Sequence, residues 1–237
     1  MPGVCINSIL ILLGSALGIL FRNRLPTRFL DVVVQALGLA VVAIGAASAI
    51  GTADTLCMVV CLVLGTILGE AVDIEARLNR CGDLLKEKLL HGQGAGSTFT
   101  EGFVTASVLY CVGAMAILGS IDAGIHHDYS ILISKAVIDG VFSVSLAAAV
   151  GVGVAFSALP ILLYEGGITL LAGLAAFFLT EPLIKEMSAA GGCIIVGIGV
   201  NMLKMTERPL KVGNMLPSVF LPLLYLPIMQ ELRHFFC

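Results

Sequence analysis

Residues 131–179 have the sequence ILISKAVIDGVFSVSLAAAVGVGVAFSALPILLYEGGITLLAGLAAFFL, in which only Lys135, Asp139 and Glu165 are charged. As one helix these 49 residues would extend about 73 Å, whereas about 20 residues cross a bilayer core. Pro160 disfavours helical backbone at the residue before it and suits the first turn of a helix. The run therefore predicts two membrane-spanning helices joined by a tight turn at residues 157–160.

The composition of the whole chain is that of a membrane protein. Of its 237 residues, 58% are hydrophobic and 12% are charged, and the mean hydropathy is +1.05. Soluble domains average about 25% charged residues, so this chain has too few charges to cover a water-facing surface. A soluble enzyme, a nucleic-acid-binding protein and a disordered linker are therefore excluded.

Eight apolar segments are long enough to cross a bilayer as helices. We predict an all-α, polytopic integral membrane protein that forms a single transmembrane domain over residues 1–237. The predicted spans are Val4–Phe21, Val32–Ile50, Leu56–Val72, Phe103–Ile121, Ile131–Phe156, Ile161–Leu179, Ser188–Leu203 and Val212–Ile228.

The basic residues indicate the orientation of these spans. With eight spans, the loops after the first, third, fifth and seventh carry ten Lys and Arg residues, and the opposite side carries two. Cytoplasmic loops are enriched in Lys and Arg, so both termini are predicted outside the cytoplasm. The ten are Arg22, Arg24, Arg28, Arg77, Arg80, Lys86, Lys88, Lys204, Arg208 and Lys211, and the two are Lys185 and Arg233.

The longest segment between spans, residues 73–101, falls on the predicted cytoplasmic side. Its apolar residues Ile74, Leu78, Leu85 and Leu89 recur near helical spacing among charged residues. We expect an amphipathic helix that either extends the third span or lies on the inner face of the membrane.

Several motifs are distributed over almost the whole chain. They are Gly65-x-x-x-Gly69-Glu70, Ser130-Ile-Leu-Ile-Ser-Lys135-x-x-x-Asp139, Pro160-x-x-x-Tyr164-Glu165-Gly166-x-Ile168-Thr169-Leu170, Ser188-Ala-x-Gly-Gly192 and Asn214-Met-Leu-Pro217. With these motifs the chain resembles the bacterial inner-membrane family called domain of unknown function 554 (DUF554). The resemblance implies a multi-pass protein of the bacterial inner membrane and no established activity.

Two glycine-rich segments are similar to each other. Gly38-Leu-Ala-Val-Val-Ala-Ile-Gly45 aligns without gaps with Gly192-Cys-Ile-Ile-Val-Gly-Ile-Gly199, at an offset of 154 residues. The same offset carries the first span onto the sixth and the third onto the eighth, in opposite orientation. One interpretation is an inverted repeat of three helices at 4–80 and 160–237, separated by helices at 101–157, an arrangement common in transporters. Chance similarity between glycine-rich apolar segments is the alternative.

Lys135 and Asp139 are candidate functional residues because ionisable groups within the hydrocarbon are costly to bury. Their i, i+4 spacing places them on one face of a helix, close enough for an ion pair. Such a pair could bind a cation or exchange a proton. Alternatively, the span lies further toward its C-terminal end, and Lys135 extends to the interface and fixes the helix depth.

Glu70 and Glu165 are two further candidates. Each follows or precedes glycines, and a pair of carboxylates facing one cavity would suit cation or proton binding. Gly166 and Gly167 could allow a close backbone approach or a helix break after Glu165. The alternative for both carboxylates is a charge at the membrane interface.

The last span contains a proline every five residues. Pro217, Pro222 and Pro227 each remove a backbone donor, so we predict a kinked or discontinuous helix. Broken backbone at membrane depth is tolerated where it lines a cavity. Three amides, Asn7, Asn201 and Asn214, are the remaining polar candidates, although hydrogen bonding between helices would also explain them.

Together these features favour a membrane transport protein, either a secondary transporter or channel-like, for a small polar solute or ion. The alternative is a non-transport scaffold or assembly protein. We find no motif of a membrane-embedded enzyme, such as H-E-x-x-H or G-x-S-x-G, and expect no enzymatic activity, cofactor or metal site. The expected partners are the lipid bilayer, the transported solute and further copies of the chain, and no nucleic acid.

The predicted orientation can be tested by cysteine labelling. In a cysteine-free background, Gln93→Cys should be protected from a membrane-impermeant thiol reagent in intact cells and labelled after permeabilisation. Labelling in intact cells would contradict the eight-span orientation.

Overall fold

The structure is a computed structural model that describes residues 1–22, 24, 26–90 and 98–236. Within these ranges the chain forms helices and turns and no strand. The α-helices are α1 (Pro2–Arg22), α2 (Thr27–Ile50), α3 (Thr55–Val72), α4 (Ile74–Leu90), α5 (Phe99–Cys111), α6 (Ala114–Ile125), α7 (Ser130–Val150), α8 (Gly153–Phe156), α9 (Ala158–Leu170), α10 (Ala172–Phe178), α11 (Glu181–Met202), α12 (Pro217–Phe220) and α13 (Pro222–Phe236); a 3₁₀ helix covers Val212–Met215.

The described helices include seven segments long and apolar enough to cross a membrane. An eighth is obtained if α5 and α6, which are bent by 61° at their junction, are counted as one span. The all-α, polytopic membrane fold predicted from the sequence is therefore confirmed. The predicted fourth span is not a straight helix, because it contains this bend at Val112 and Gly113.

The turn after the fifth span lies earlier than predicted. Helix α7 ends at Val150, and the chain reverses at Gly151, which has φ 96° and ψ −159°. Residues with a Cβ atom rarely adopt this backbone conformation, whereas glycine adopts it without strain. Pro160 instead occupies the third position of α9, where a proline is tolerated.

Helices α1 and α7 pack in parallel with their backbones in close approach. A Cβ atom on Gly14 would lie 2.2 Å from the carbonyl oxygen of Gly140, and one on Gly18 would lie 2.2 Å from that of Val144. Only glycine permits this separation, which fixes the register of the two helices.

Helices α2 and α11 pack antiparallel through the two similar glycine-rich segments. Gly38 lies against Gly199, and Gly45 lies against Gly192. Helix α11 is the most buried of the spans and α2 the least, so α11 is central and α2 peripheral. The segments are thus packing partners, while the inverted repeat itself stays a prediction.

The last span is divided into three pieces. A 3₁₀ helix precedes α12, which begins at Pro217, and α13 begins at Pro222. Helix α9, in contrast, continues through Gly166 and Gly167 and ends only at Leu170. Glycine permits a break without requiring one, and an intact helix keeps its backbone groups hydrogen-bonded.

Helix α4 is the amphipathic helix expected in residues 73–101. It does not extend α3, because Asp73 between them adopts a left-handed conformation with φ 53°. Its apolar residues Leu78 and Leu85 pack against the largest buried cluster of the protein. Residues 91–97 of the predicted segment lie outside the described residues.

The contact between α1 and α7 can be tested with matched alanine substitutions. Gly14→Ala should destabilise the protein by about 1–3 kcal/mol, because its methyl group would overlap the Gly140 carbonyl. Gly167→Ala is the control, since no atom outside its own helix backbone lies within 4 Å of the added methyl group. Melting in detergent should show a lower Tm for Gly14→Ala alone; equal Tm values would contradict the close packing.

Candidate functional site

Three helices bring four polar side chains into one cluster, which we call the buried network. Asn7 comes from α1, Lys135 and Asp139 from α7, and Glu165 from α9. The parallel register of α1 and α7 places the Asn7 amide beside the turn of α7 that carries the ion pair. Residues 158 positions apart in the sequence thereby come into direct contact.

Every member of the buried network bonds to at least two others. The Asn7 Nδ2 donates to both carboxylate oxygens of Glu165 at 3.1 Å and to Oδ2 of Asp139 at 3.2 Å. The Lys135 Nζ forms an ion pair with Oδ2 of Asp139 and lies 3.1 Å from Oε1 of Glu165. The ammonium group therefore bridges the two carboxylates.

The buried network lies deep in the bundle. Asn7 and Glu165 are fully buried, and Lys135 and Asp139 are 5% exposed. Asp139 is the tenth of the 21 residues of α7, about 14 Å along the helix. Because α7 ends at Val150, the span cannot be shifted toward Phe156, and Asp139 lies near its middle.

A cavity of about 210 Å³ opens beside the buried network. Lys135 and Asp139 form part of its wall, and most of the remaining wall is apolar. Tyr110 also lines it and shares a hydrogen bond of 2.9 Å with Ser143 of α7. The charged pair is thus accessible from a space large enough for a small molecule or hydrated ion.

A second cavity adjoins the first toward the end of the bundle. The two share Ser48, Ala114 and Ser188 as wall residues, and the second reaches the exposed residues Glu181 and Lys185. The walls of the two cavities therefore carry polar side chains from Asp139 through Ser188 to Glu181 at the start of α11. In the predicted orientation this end of the bundle faces out of the cytoplasm.

The bend between α5 and α6 lies at the cavity wall. Gly113 and Ala114, where the helix is interrupted, both line the cavity. The interruption leaves backbone groups at the start of α6 without partners within the helix, and such groups are tolerated at membrane depth where they face a cavity or other protein. This bend was not predicted from the sequence, although Gly113 within an apolar run could have indicated a helix interruption.

Glu70 and Asn214 belong to a separate junction and do not meet Glu165. The Asn214 side chain donates to Glu70 and accepts from the backbone N–H of Glu75, each at 2.6 Å. Gly213 N–H donates to the Glu75 carboxylate, and Lys211 donates to Glu70. The expectation that Glu70 and Glu165 share a cavity is wrong, because Glu70 is directed to the surface, where its side chain is 55% exposed.

Electrostatics at this junction follow from its contacts. The hydrogen bond to Glu70 raises the pKa of Lys211 and so favours its charged form. Burial raises the pKa of Glu75, against the opposing effect of its bond from Gly213. The junction joins α3, α4 and the broken last span, and both sides of the Asn214 amide are used in doing so.

Asn201 has a structural contact of its own. Its amide group donates to the carbonyl of Leu210 and accepts from the N–H of the same residue, each at 2.8 Å. This pair of bonds closes the loop between α11 and the last span. Hydrogen bonding between helices was the alternative considered for Asn201 from the sequence. The structure instead shows Asn201 of α11 bonded to the loop that follows this helix.

Glu186 is a buried carboxylate that the sequence analysis did not select. It accepts from Thr52 Oγ1 at 2.6 Å, from Ala53 N at 2.7 Å and from Asp54 N at 3.2 Å. These bonds anchor the loop between α2 and α3, and Asp54 then caps α3. A charge within an apolar helix was the signal that could have identified it.

Among the described residues, no group of three or more His, Cys, Asp and Glu side chains is arranged to hold a metal ion. The Cys57 and Cys61 thiols lie 3.9 Å apart on one face of α3, both buried. Of the four charged side chains that are buried in the described part of the chain, Lys135, Asp139 and Glu165 meet in the buried network and Glu186 lies apart from them.

Comparison with known proteins gives the family. The family model described as "Protein of unknown function (DUF554)" matches residues 2–226. The chain belongs to the DUF554 family. It is 30% identical over 226 residues to the uncharacterized membrane protein YdfK of Bacillus subtilis (strain 168), covering 94% of both chains. It is 29% identical over 221 residues to the uncharacterized protein YqgA of Escherichia coli (strain K12), covering 92% of this chain and 93% of that protein. No solved structure matches this DUF554 protein.

The role of Glu186 can be tested within one helix. Glu186→Gln should lower the free energy of unfolding by about 1–3 kcal/mol, because the new NH₂ group faces backbone donors that have lost an acceptor. Glu181→Gln, at an exposed position of the same helix, should leave Tm unchanged. Equal Tm values for the two variants would show that the loop does not depend on Glu186.

Proposed function

We propose that this DUF554 protein is a membrane transport protein, a secondary transporter or channel-like, for a small polar solute or ion. The observation that carries the proposal is the buried network of Asn7, Lys135, Asp139 and Glu165 beside a cavity. The network is the proposed binding site, and the two adjacent cavities are the proposed route to it.

The cost of burying these charges supports a functional role. Well-packed apolar residues of similar volume are often as stable as a buried ion pair or more so. Ionisable groups within membrane spans generally mark pathways of ions, protons or substrates. Apolar side chains at these positions of α1, α7 and α9 could fill the same space. Stability alone therefore gives no reason for a charged network here.

The interrupted helices support the same proposal. The α5–α6 bend lies at the cavity, and the last span is divided at Pro217 and Pro222. Discontinuous helices at the midplane are typical of transporter binding sites. Under this proposal, movement of α6 against α7 would open and close the route between the network and the end of the bundle.

The finer aspects of the localisation are also proposals. We propose that the protein resides in the bacterial inner membrane with both termini outside the cytoplasm, as its Lys and Arg distribution favours. We further propose a homo-oligomer, in which the exposed apolar side chains of α2 and α7 around the cavity would meet another copy.

Removing the charges should separate stability from transport. Lys135→Met alone leaves two buried carboxylates without their cation and should cost about 3–5 kcal/mol. The triple variant Lys135→Met, Asp139→Leu, Glu165→Gln carries no charge in the network and should recover the wild-type Tm. In proteoliposomes tested with a panel of protons, inorganic cations and small polar solutes, we expect flux through the wild-type protein and none through the triple variant.

Leu163→Met provides the matched control, because Leu163 lies two residues before Glu165 on the exposed face of α9. It should retain both Tm and flux. Flux at the wild-type level in the triple variant would contradict the proposal. It would also contradict the proposal if the wild-type protein transported nothing in the panel, and a scaffold would then be the better description.

A further inference from the structure

The formal charges of the buried network do not cancel. Lys135 contributes one positive charge, and Asp139 and Glu165 contribute two negative charges, so the fully ionised network carries one excess negative charge. The neighbouring titratable groups do not compensate it. Tyr110 and Cys111 of α5 and Tyr164 of α9 lie close to the charged groups, and all three side chains are uncharged at neutral pH.

An excess charge within the hydrocarbon region is strongly unfavourable. It must be neutralised by a bound cation or by protonation of a carboxylate. A metal cation requires several oxygen ligands at short range with space between them. In the network the Lys135 ammonium already lies between the two carboxylates, and the Asn7 amide N–H group occupies both oxygens of Glu165. A proton requires no additional space.

The contacts distinguish the two carboxylates. Asp139 lies one turn after Lys135 on the same helix, whereas Glu165 belongs to α9, so Asp139 is the principal ion-pair partner of Lys135. Asn7 donates to both carboxylates, but Asp139 also lies on the cavity wall, whereas Glu165 is fully buried away from it. Glu165 is therefore the less stabilised anion and the better acceptor of a proton.

Asn7 gives an independent indication. Its amide oxygen is fully buried and has no hydrogen-bond partner. A carboxylate anion cannot donate a hydrogen bond, whereas a protonated carboxyl group can. The Glu165 oxygens contact the Nδ2 side of the same amide. A protonated Glu165 would therefore offer this oxygen a donor if the Asn7 amide rotated about its side-chain bond.

We infer that the buried network is a binding site for one proton, carried by Glu165, while Asp139 and Lys135 remain an ion pair. The proton neutralises the network without a further ion. This inference deepens the proposed function, since the proton would be the ion that is moved or exchanged, and in that respect it rests on the proposed function. The presence of the proton does not depend on transport.

Infrared spectroscopy of the purified full-length protein tests the site without a substrate. A protonated carboxylic acid has a C=O stretching band that ionised carboxylates lack and that shifts in D₂O. At neutral pH we expect a band of one carboxyl group in the wild type. Glu165→Gln should lose it, and Asp139→Asn should also lose it, because Glu165 then pairs one-to-one with Lys135.

Lys135→Met should double the band, because two carboxylates without a cation both become protonated. Glu70→Gln, at an exposed carboxylate of the separate junction, should leave the band unchanged.

Glu165→Gln retains the shape and the hydrogen bonds of the protonated side chain, so its Tm should equal or exceed that of the wild type. A normal Tm also ensures that loss of the band does not reflect misfolding.

Three results would overturn the inference. They are a wild-type spectrum without the band, a band that persists in Glu165→Gln, and a band that disappears when sodium chloride replaces choline chloride, which would indicate a bound metal cation instead. Failure of the proposed function would be recognised differently. In that case the triple variant would retain flux in proteoliposomes, while the wild-type band would still be present.

Discussion

The arrangement of the bundle interior depends on the contact between the backbones of Gly14 and Gly140. Any side chain at Gly14 would overlap the carbonyl of Gly140. This contact brings α1 and α7 close enough for the Asn7 amide to reach Asp139, and it sets the register in which it does so. Helix α9 then completes the network with Glu165. The polar chemistry therefore follows from two small residues, Gly14, which lies about two helical turns after Asn7, and Gly140, which directly follows Asp139.

The burial of this network imposes a second constraint. Each ionisable group in the hydrocarbon region needs a partner of opposite charge or a proton. Lys135 supplies one positive charge to two carboxylates, and Asn7 supplies hydrogen bonds without charge. The neighbouring cavity is lined by Lys135 and Asp139 and by Gly113 at the bend between α5 and α6. Binding and release at one site are the chemistry that such an arrangement supports.

Local features of the fold followed from the sequence, whereas contacts between distant segments did not. Segment length and hydropathy predicted the spans, and the i, i+4 spacing predicted that Lys135 and Asp139 would pair. The turn was placed at Pro160 because proline is a visible signal, although the positive φ of Gly151 makes the reversal. Whether Glu165 or Glu70 would join the pair depends on how helices pack, and sequence spacing carries no information on that.

The same limit applies to the amides. Asn7, Asn201 and Asn214 were equivalent in the sequence, yet only Asn7 enters the buried network. Asn201 binds the backbone nine residues further on, and Asn214 joins three elements at the separate junction. An amide both donates and accepts, so its role is decided by its neighbours and not by its position in an apolar segment.

Under the proposed function, water and solutes reach the buried network through the two adjacent cavities, and cysteine accessibility tests this claim most directly. In a cysteine-free background, Ser188→Cys lies on the wall that the two cavities share, and Val141→Cys lies on the exposed apolar face of α7. A small, water-soluble, membrane-impermeant thiol reagent should modify residue 188 from the side away from the cytoplasm and leave residue 141 unmodified. Absence of modification at 188 from either side of the membrane would contradict the account.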